Sequence, residues 1–171
     1  MAGKACHVLA STTQVGLIQA LGRTGESSVP ISVTASLRMR HPSADLSYCT
    51  RQLDLEPNRQ WVAGEPRTSP VGRPLGGVQP DSYWCAPLVL DQESDIENFL
   101  ASTLDRLETY RSVFDQCSAT GGSAELFIGF FLEAFNGGFS LQPQLLAKAA
   151  SLGIALDFDI YGHEDDPSSA P

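Results

Sequence analysis

The segment Ala124–Leu132 constrains the fold more than any other stretch of the chain. Read as a strand, it places Leu126, Ile128, Phe130 and Leu132 on one face and Phe127 and Phe131 on the other, with Gly129 between the two phenylalanines. Successive side chains of a strand point to opposite faces, so this strand needs cover on both sides. It therefore cannot stand alone and calls for a sheet with a packed layer. Three other segments supply strands. Ile31, Val33, Ala35, Leu37 and Met39 alternate with Ser32, Thr34, Ser36 and Arg38 until His41-Pro42 stops the run. Asp81–Leu90 carries Trp84 and Cys85 at its centre, and Pro87 marks an edge or a bulge. In Ile154–Tyr161 the residues Ile154, Leu156, Phe158 and Ile160 form an apolar face, and Asp157, Asp159 and Tyr161 turn the other way.

Helical periodicity fills the intervals between these strands. Leu46, Cys49 and Leu53 make one stripe, with Ser43 or Asp45 available to cap it. A longer helix is predicted from about Ser94 to Gln116, opened by a Ser94/Glu97 capping box. Its buried face is Ile96, Phe99, Leu100, Thr103, Leu104 and Leu107, continuing to Val113 and Phe114 before Gly121-Gly122 ends it. Pro143 opens a third helix with Leu145, Leu146, Ala149 and Leu152 inward, and Gly153 closes it. From Glu56 to about Pro80 the chain has prolines and glycines and no sustained period, which predicts a long loop. The order β-α-(long loop)-β-α-β-α-β predicts an α+β fold. The expected form is a two-layer sandwich, a mixed, mainly antiparallel four-stranded sheet with helices on one face, for which a ferredoxin-like arrangement is one candidate. The domain is expected over residues 30–162. Residues 1–29 are expected as a weakly ordered leader with a short helix around Val15–Leu21, and residues 163–171 as a disordered acidic tail.

Composition narrows the function classes. A chain of 171 residues suits one hydrophobic core. With 20 acidic against 11 basic residues it carries a net charge of −9, and lysine occurs only at Lys4 and Lys148. That field repels a phosphate backbone, so no nucleic acid is expected as a partner. No apolar run reaches the roughly 18–20 residues of a membrane span. The first residues lack the continuous apolar core of a secretory signal, and a cytoplasmic location is expected. Cys6, Cys49, Cys85 and Cys117 lie far apart without a CxxC pair. They read as reduced core thiols, with a zinc site or a disulfide framework as the other reading.

Catalytic and cofactor motifs are largely missing. Gly72-Arg73-Pro74-Leu75-Gly76-Gly77 has the outer glycines of a phosphate loop, but Val78 and Gln79 stand where Lys and Ser/Thr are needed. His7, His41 and His163 are scattered, and His163-Glu164-Asp165-Asp166 reads as a solvated tail, so no metal and no cofactor is expected. Two clusters remain. Arg59, Trp61, Glu65 and Arg67 make either a packed loop or a recognition surface, since Trp and Arg are favoured binding anchors. Asp157 and Asp159 share a strand face with Cβ atoms about 7 Å apart, and Tyr161 follows them. They read as a wet sheet face with Arg38 as an ion partner, or as a catalytic or metal-binding pair that Glu65 joins from the loop.

Three fragments, Leu53–Arg67 (LDLEPNRQWVAGEPR), Tyr83-Trp84 and Phe139–Tyr161, together resemble a bacterial family known only as domain of unknown function 4279. Arg59, Trp61, Gly64, Glu65 and Pro66 match the family's pattern around its tryptophan. The resemblance covers roughly residues 30–162 and implies a fold; it brings no activity with it. The residues themselves favour a non-enzymatic binding or protein-interaction domain, immunity-like in one version, with a basic protein partner. The binding set would be Arg38, Arg59, Trp61, Glu65, Arg67 and Tyr161. The alternative is a small enzyme or metal-binding domain using Asp157, Asp159 and Glu65. Phe127 and Phe131 also need cover. The segment 56–80 is expected to fold over them with Trp61 nearby, leaving a monomer; two strand faces covering each other in a homodimer is the competing outcome.

Overall fold

The computed structural model describes residues 16–19, 30–89, 95–132 and 138–162. In chain order the elements are β1 (Gly16–Gln19), β2 (Pro30–His41), α1 (Tyr48–Leu53), β3 (Arg59–Trp61), β4 (Pro66–Thr68), β5 (Pro74–Val78), β6 (Ser82–Leu88), α2 (Ile96–Glu108), α3 (Arg111–Ala119), β7 (Ser123–Leu132), α4 (Pro143–Ser151) and β8 (Ile154–Tyr161). The fold is α+β. Its main sheet runs β3-β6-β2-β7-β8, with β1 lying beside the start of β2, and β4-β5 form a separate two-stranded ribbon.

Strand β2 is the spine. It pairs antiparallel with β6 through Ala35–His41 on one side and with β7 through Ile31–Arg40 on the other. Among the described strands only β7 and β8 run parallel, joined through α4. The sheet is mixed and mainly antiparallel, as expected, but among the described residues it has six strands where four were expected. The chain order also departs from the β-α-β-β-α-β order of a ferredoxin-like domain.

One sheet face and the helices share a single core. Val33, Leu37 and Met39 of β2, Trp84 and Ala86 of β6, and Leu126 and Ile128 of β7 pack with Leu100, Leu104, Phe114 and Ala149 of the helices. The Trp84 indole N–H donates to Thr50 Oγ1 at 2.9 Å, so this fully buried ring also ties α1 to the sheet. The six residues predicted as the inward stripe of the second helix are all buried.

Other expectations are corrected. The single helix from 94 to 116 is two helices. At Thr109 the hydroxyl and the backbone N–H both turn back to the Arg106 carbonyl, and Tyr110 leaves helical geometry before α3 begins. The helix cap is Asp95, whose carboxylate accepts from the Asn98 N–H at 2.8 Å; Ser94 lies outside the described residues. Asp45 accepts from Ser47 in a turn before α1 and caps no helical N–H, while Ser47 is the N-cap. The helix expected around Val15–Leu21 is instead strand β1, whose backbone pairs with Pro30–Val33 along the edge of β2 that β6 leaves open. Leu146 and Ile160, expected inside, are exposed: helix α4 covers only the start of β8.

The largest correction concerns residues 56–80. They form β3, which adds to the outer edge of β6, and the β4-β5 ribbon beyond it. Backbone bonds between Gly64 and Gln79 and between Gln79 and Glu65 join the two parts. Gly64 (φ 84) and Gly72 (φ 75) occupy the left-handed conformation that these tight turns require. Backbone pairing, not side-chain periodicity, holds this segment, and the ribbon residues are exposed. Pro87 sits past the end of β3, where β6 has no β3 neighbour to accept a bond from it.

Candidate functional site

The sheet face opposite the helices carries the residues of interest. Strand register fixes who stands beside whom, because cross-strand partners share a face. Arg59 aligns with Cys85, Arg38 and Glu125, and Trp61 aligns with Tyr83 and Arg40. Phe127 aligns with Ser36 and Asp157, Gly129 with Thr34 and Asp159, and Phe131 with Ser32 and Tyr161. On this face Tyr83, Cys85 and Gly129 are buried, and Arg59, Asp157, Phe131 and Tyr161 are exposed.

Its aromatic rings are partnered within the face. Trp61 stacks on Tyr83 with ring centroids 4.5 Å apart, and the Arg40 guanidinium sits 4.6 Å from the Tyr83 centroid. The Arg38 guanidinium lies 3.3 Å over the Phe127 ring, donates from Nε to Ser36 Oγ, and stands 3.7 Å from Glu125. Phe131 stacks on Tyr161 at 4.9 Å, nearly parallel. Gly129 keeps the slot between Phe127 and Phe131 open: a Cβ there would lie 2.8 Å from Thr34 Oγ1. Arg38 over Phe127 is a cation–π arrangement that covers one of the two phenylalanines; the other, Phe131, is exposed and stacks on exposed Tyr161.

The expected folding of Trp61 over these phenylalanines therefore does not occur. Strand β3 is three strand spacings from β7, about 14 Å, because the segment extends the sheet sideways. Trp61 is half-buried against Tyr83, and its indole N–H is buried without a hydrogen-bond partner.

Burial pushes the Tyr83 phenol up to about 12; nearby Cys85 adds to the rise, and Arg38 and Arg40 oppose it. At the other edge the Tyr161 hydroxyl donates to Asp159, and that hydrogen bond raises the Tyr161 pKa. Arg40 pairs with Asp81 at 3.2 Å.

The sequence clusters are redistributed. Arg38, Arg59, Trp61, Asp157, Asp159 and Tyr161 do share one face. Arg38 meets Glu125, however, and not the aspartates. Glu65 closes the Val62–Glu65 turn by accepting from the Val62 N–H at 3.0 Å, and Arg67 stands out on the exposed ribbon. Asp157 and Asp159 belong to the strand at the opposite end of the sheet from β3, about 19 Å across four strand spacings, so the trio with Glu65 is not assembled. Among the described residues no three of His, Cys, Asp and Glu stand together as a metal-binding group. Cys49, Cys85 and Cys117 are free and buried; Cys6 lies outside the described residues.

Sequence reasoning missed Arg40, Tyr83, Glu125 and the pairing of Phe127 with Arg38. Alternation shows that Arg38 and Arg40 leave β2 on one side, but which strands flank β2 is a tertiary fact. It also missed His41. That ring is buried, accepts at Nδ1 from the N–H groups of Ser43 (3.0 Å) and Ala44 (2.7 Å), and meets Thr120 Oγ1 through Nε2 at 3.1 Å. With Nδ1 occupied as an acceptor, the proton belongs on Nε2. His41 thus fixes the turn from β2 to α1.

A family model described as Domain of unknown function (DUF4279) matches residues 31–163. The chain belongs to this family. The DUF4279 match spans β2 to β8, so it includes every residue of the face just described. Searches of curated proteins and of solved structures found no match.

Proposed function

We propose that this DUF4279 chain is a non-enzymatic protein-binding domain, a two-layer sandwich whose sheet face opposite the helices is the binding surface. The observation that carries the reading is the row of arginine–aromatic contacts across that face: Trp61 on Tyr83, Arg40 over Tyr83, and Arg38 over Phe127. Trp, Tyr and Arg are the residues most enriched among those that carry the binding energy of protein interfaces. A guanidinium held over a ring has already lost much of its freedom, so docking costs less ordering entropy.

The net charge of −9 alone favours a basic partner. The face itself asks for more, since Arg59 and Arg40 stand toward one edge and Asp157 and Asp159 toward the other. A partner that fits both halves carries both signs, and an immunity-like role requires a target of that kind. The buried free thiols suit a reducing, cytoplasmic compartment.

Affinity capture from the native host at low and moderate salt, with wild-type chain and with Arg38→Ala and Trp61→Ala, tests this reading. A stoichiometric protein partner that the wild type retains and the variants lose is the expected result. Recovery of no partner, or of one indifferent to both substitutions, overturns it.

A further inference from the structure

The charge layout of the face points to a specific occupant. Arg59 is exposed on β3 and Asp157 is exposed on β8, at opposite ends of the sheet path. Among the described residues neither has an ion-pair partner, whereas Arg38 and Arg40 are answered by Glu125 and Asp81. Along the strands the two also differ in level. Arg59 aligns with Arg38 on β2, and Asp157 aligns, through Phe127, with Ser36. The midpoint between them lies over the middle of β2. A two-fold axis through that point, in the plane between two stacked sheets, exchanges the arginine half with the aspartate half. The face is then complementary to itself, the condition for an isologous dimer.

We infer that the sheet face opposite the helices pairs with the same face of a second copy of this chain, with Arg59 of each copy against Asp157 of the other. The inference rests on the proposed binding role of this face and names its partner.

Size and chemistry agree with it. Five strands at about 4.8 Å and about seven residues at about 3.3 Å give roughly 550 Å² per copy. Two copies then bury about 1,100 Å², just above the roughly 1,000 Å² that a specific interface needs. Aligned sheet packing at about 10 Å leaves room for side chains of this length.

Sedimentation equilibrium of the full chain from 1 to several hundred micromolar tests the inference (concentrations on the order of those where minimal interfaces form). The expected wild-type result is a reversible dimer, weakened about tenfold or more between low and moderate salt. Arg59→Asp alone and Asp157→Arg alone each bring like charges together and shift the species to monomer. An equimolar mixture of the two variants restores a dimer, because both contacts then join opposite charges. Unchanged circular dichroism of each variant, and melting equal to that of the wild type at the lowest concentration, where the dimer is dissociated, show that it is folded. A wild type that stays monomeric throughout, or a dimer that ignores both reversals, or a mixture that stays monomeric, overturns the inference. A monomeric wild type whose captured partner is still lost in Arg38→Ala would leave the binding reading standing and remove only the second copy as its occupant.

Discussion

Gly129→Ala tests the geometry of the candidate face at its narrowest point. Gly129 lies on β7 beside Thr34 of β2, and a Cβ added there would approach Thr34 Oγ1 to 2.8 Å. The Phe131 and Phe127 ring edges follow at 3.6 and 3.9 Å, which are ordinary contacts. The clash is thus with the threonine alone, and relief requires the two strands or the Thr34 rotamer to move by several tenths of an ångström. Overpacking of this kind costs about 1–3 kcal/mol. Alanine regains roughly 0.5–1 kcal/mol over glycine within a strand, so the net destabilisation should be about 1–2 kcal/mol. For a chain of this size that is a fall of roughly 2–8 °C in melting temperature. The decisive measurement is a double-mutant cycle by urea denaturation, followed by the fluorescence of buried Trp84. Thr34→Ala removes the obstructing oxygen, so Gly129→Ala in that background should be neutral or stabilising. The expected coupling is about 1–2 kcal/mol, well above the error of additivity. If Gly129→Ala is stabilising in the wild-type background, or the cycle shows no coupling, then β2 and β7 are not in the register that builds this face.

Four further outcomes follow from other contacts of the fold. Gly122→Ala should cost about 2–3 kcal/mol in urea denaturation, because its Cβ would collide with Cys117 Sγ, the Arg40 carbonyl and the His41 ring at once. Trp84→Phe should cost about 1–2 kcal/mol beyond its change in volume, since it leaves the Thr50 hydroxyl without its donor; an equal cost in a Thr50→Val background would refute the bond. Burial pushes the Cys49 thiol up to about 12, so the folded chain keeps it protonated. Its contribution is complete below the unfolded thiol pKa and falls as pH rises from there towards 12, and Cys49→Ala should flatten the decline measured by denaturation between pH 8 and 10.5 (a window set by the unfolded thiol value of about 8.5). Absorbance titration should show the Tyr161 phenol ionising at lower pH in Asp159→Asn, because the hydrogen bond to that carboxylate raises its pKa.

How much of this was readable beforehand depends on the range of the interaction concerned. The inward faces of β2 and α2 were legible residue by residue, because a period of two or of 3.6 is a local property and burial follows it. The break between α2 and α3 was not, because the Thr109 hydroxyl competes for a carbonyl that a continuing helix would use, and threonine elsewhere in a helix need not do so. Residues 56–80 read as loop because proline and glycine hide a strand whose stability comes from backbone pairing with β6, an edge that alternation cannot locate.

The candidate face combines both cases. Alternation alone places Asp157, Asp159 and Tyr161 on one side of β8 and Arg38 and Arg40 on one side of β2. It leaves open whether β7 separates them, and that is what the strand order decides. With β7 between, Arg38 meets Phe127 and Glu125 before it can reach an aspartate, so Arg38 and Arg40 settle on rings; at the far edge Asp159 takes the Tyr161 hydroxyl, and among the described residues Asp157 has no ion-pair partner. Had β8 paired directly with β2, Arg38 and Asp157 could have neutralised each other within the chain. The intervening strand is therefore what leaves opposite charges at opposite ends of the face. A surface with that layout satisfies its outer charges more readily between molecules than within one.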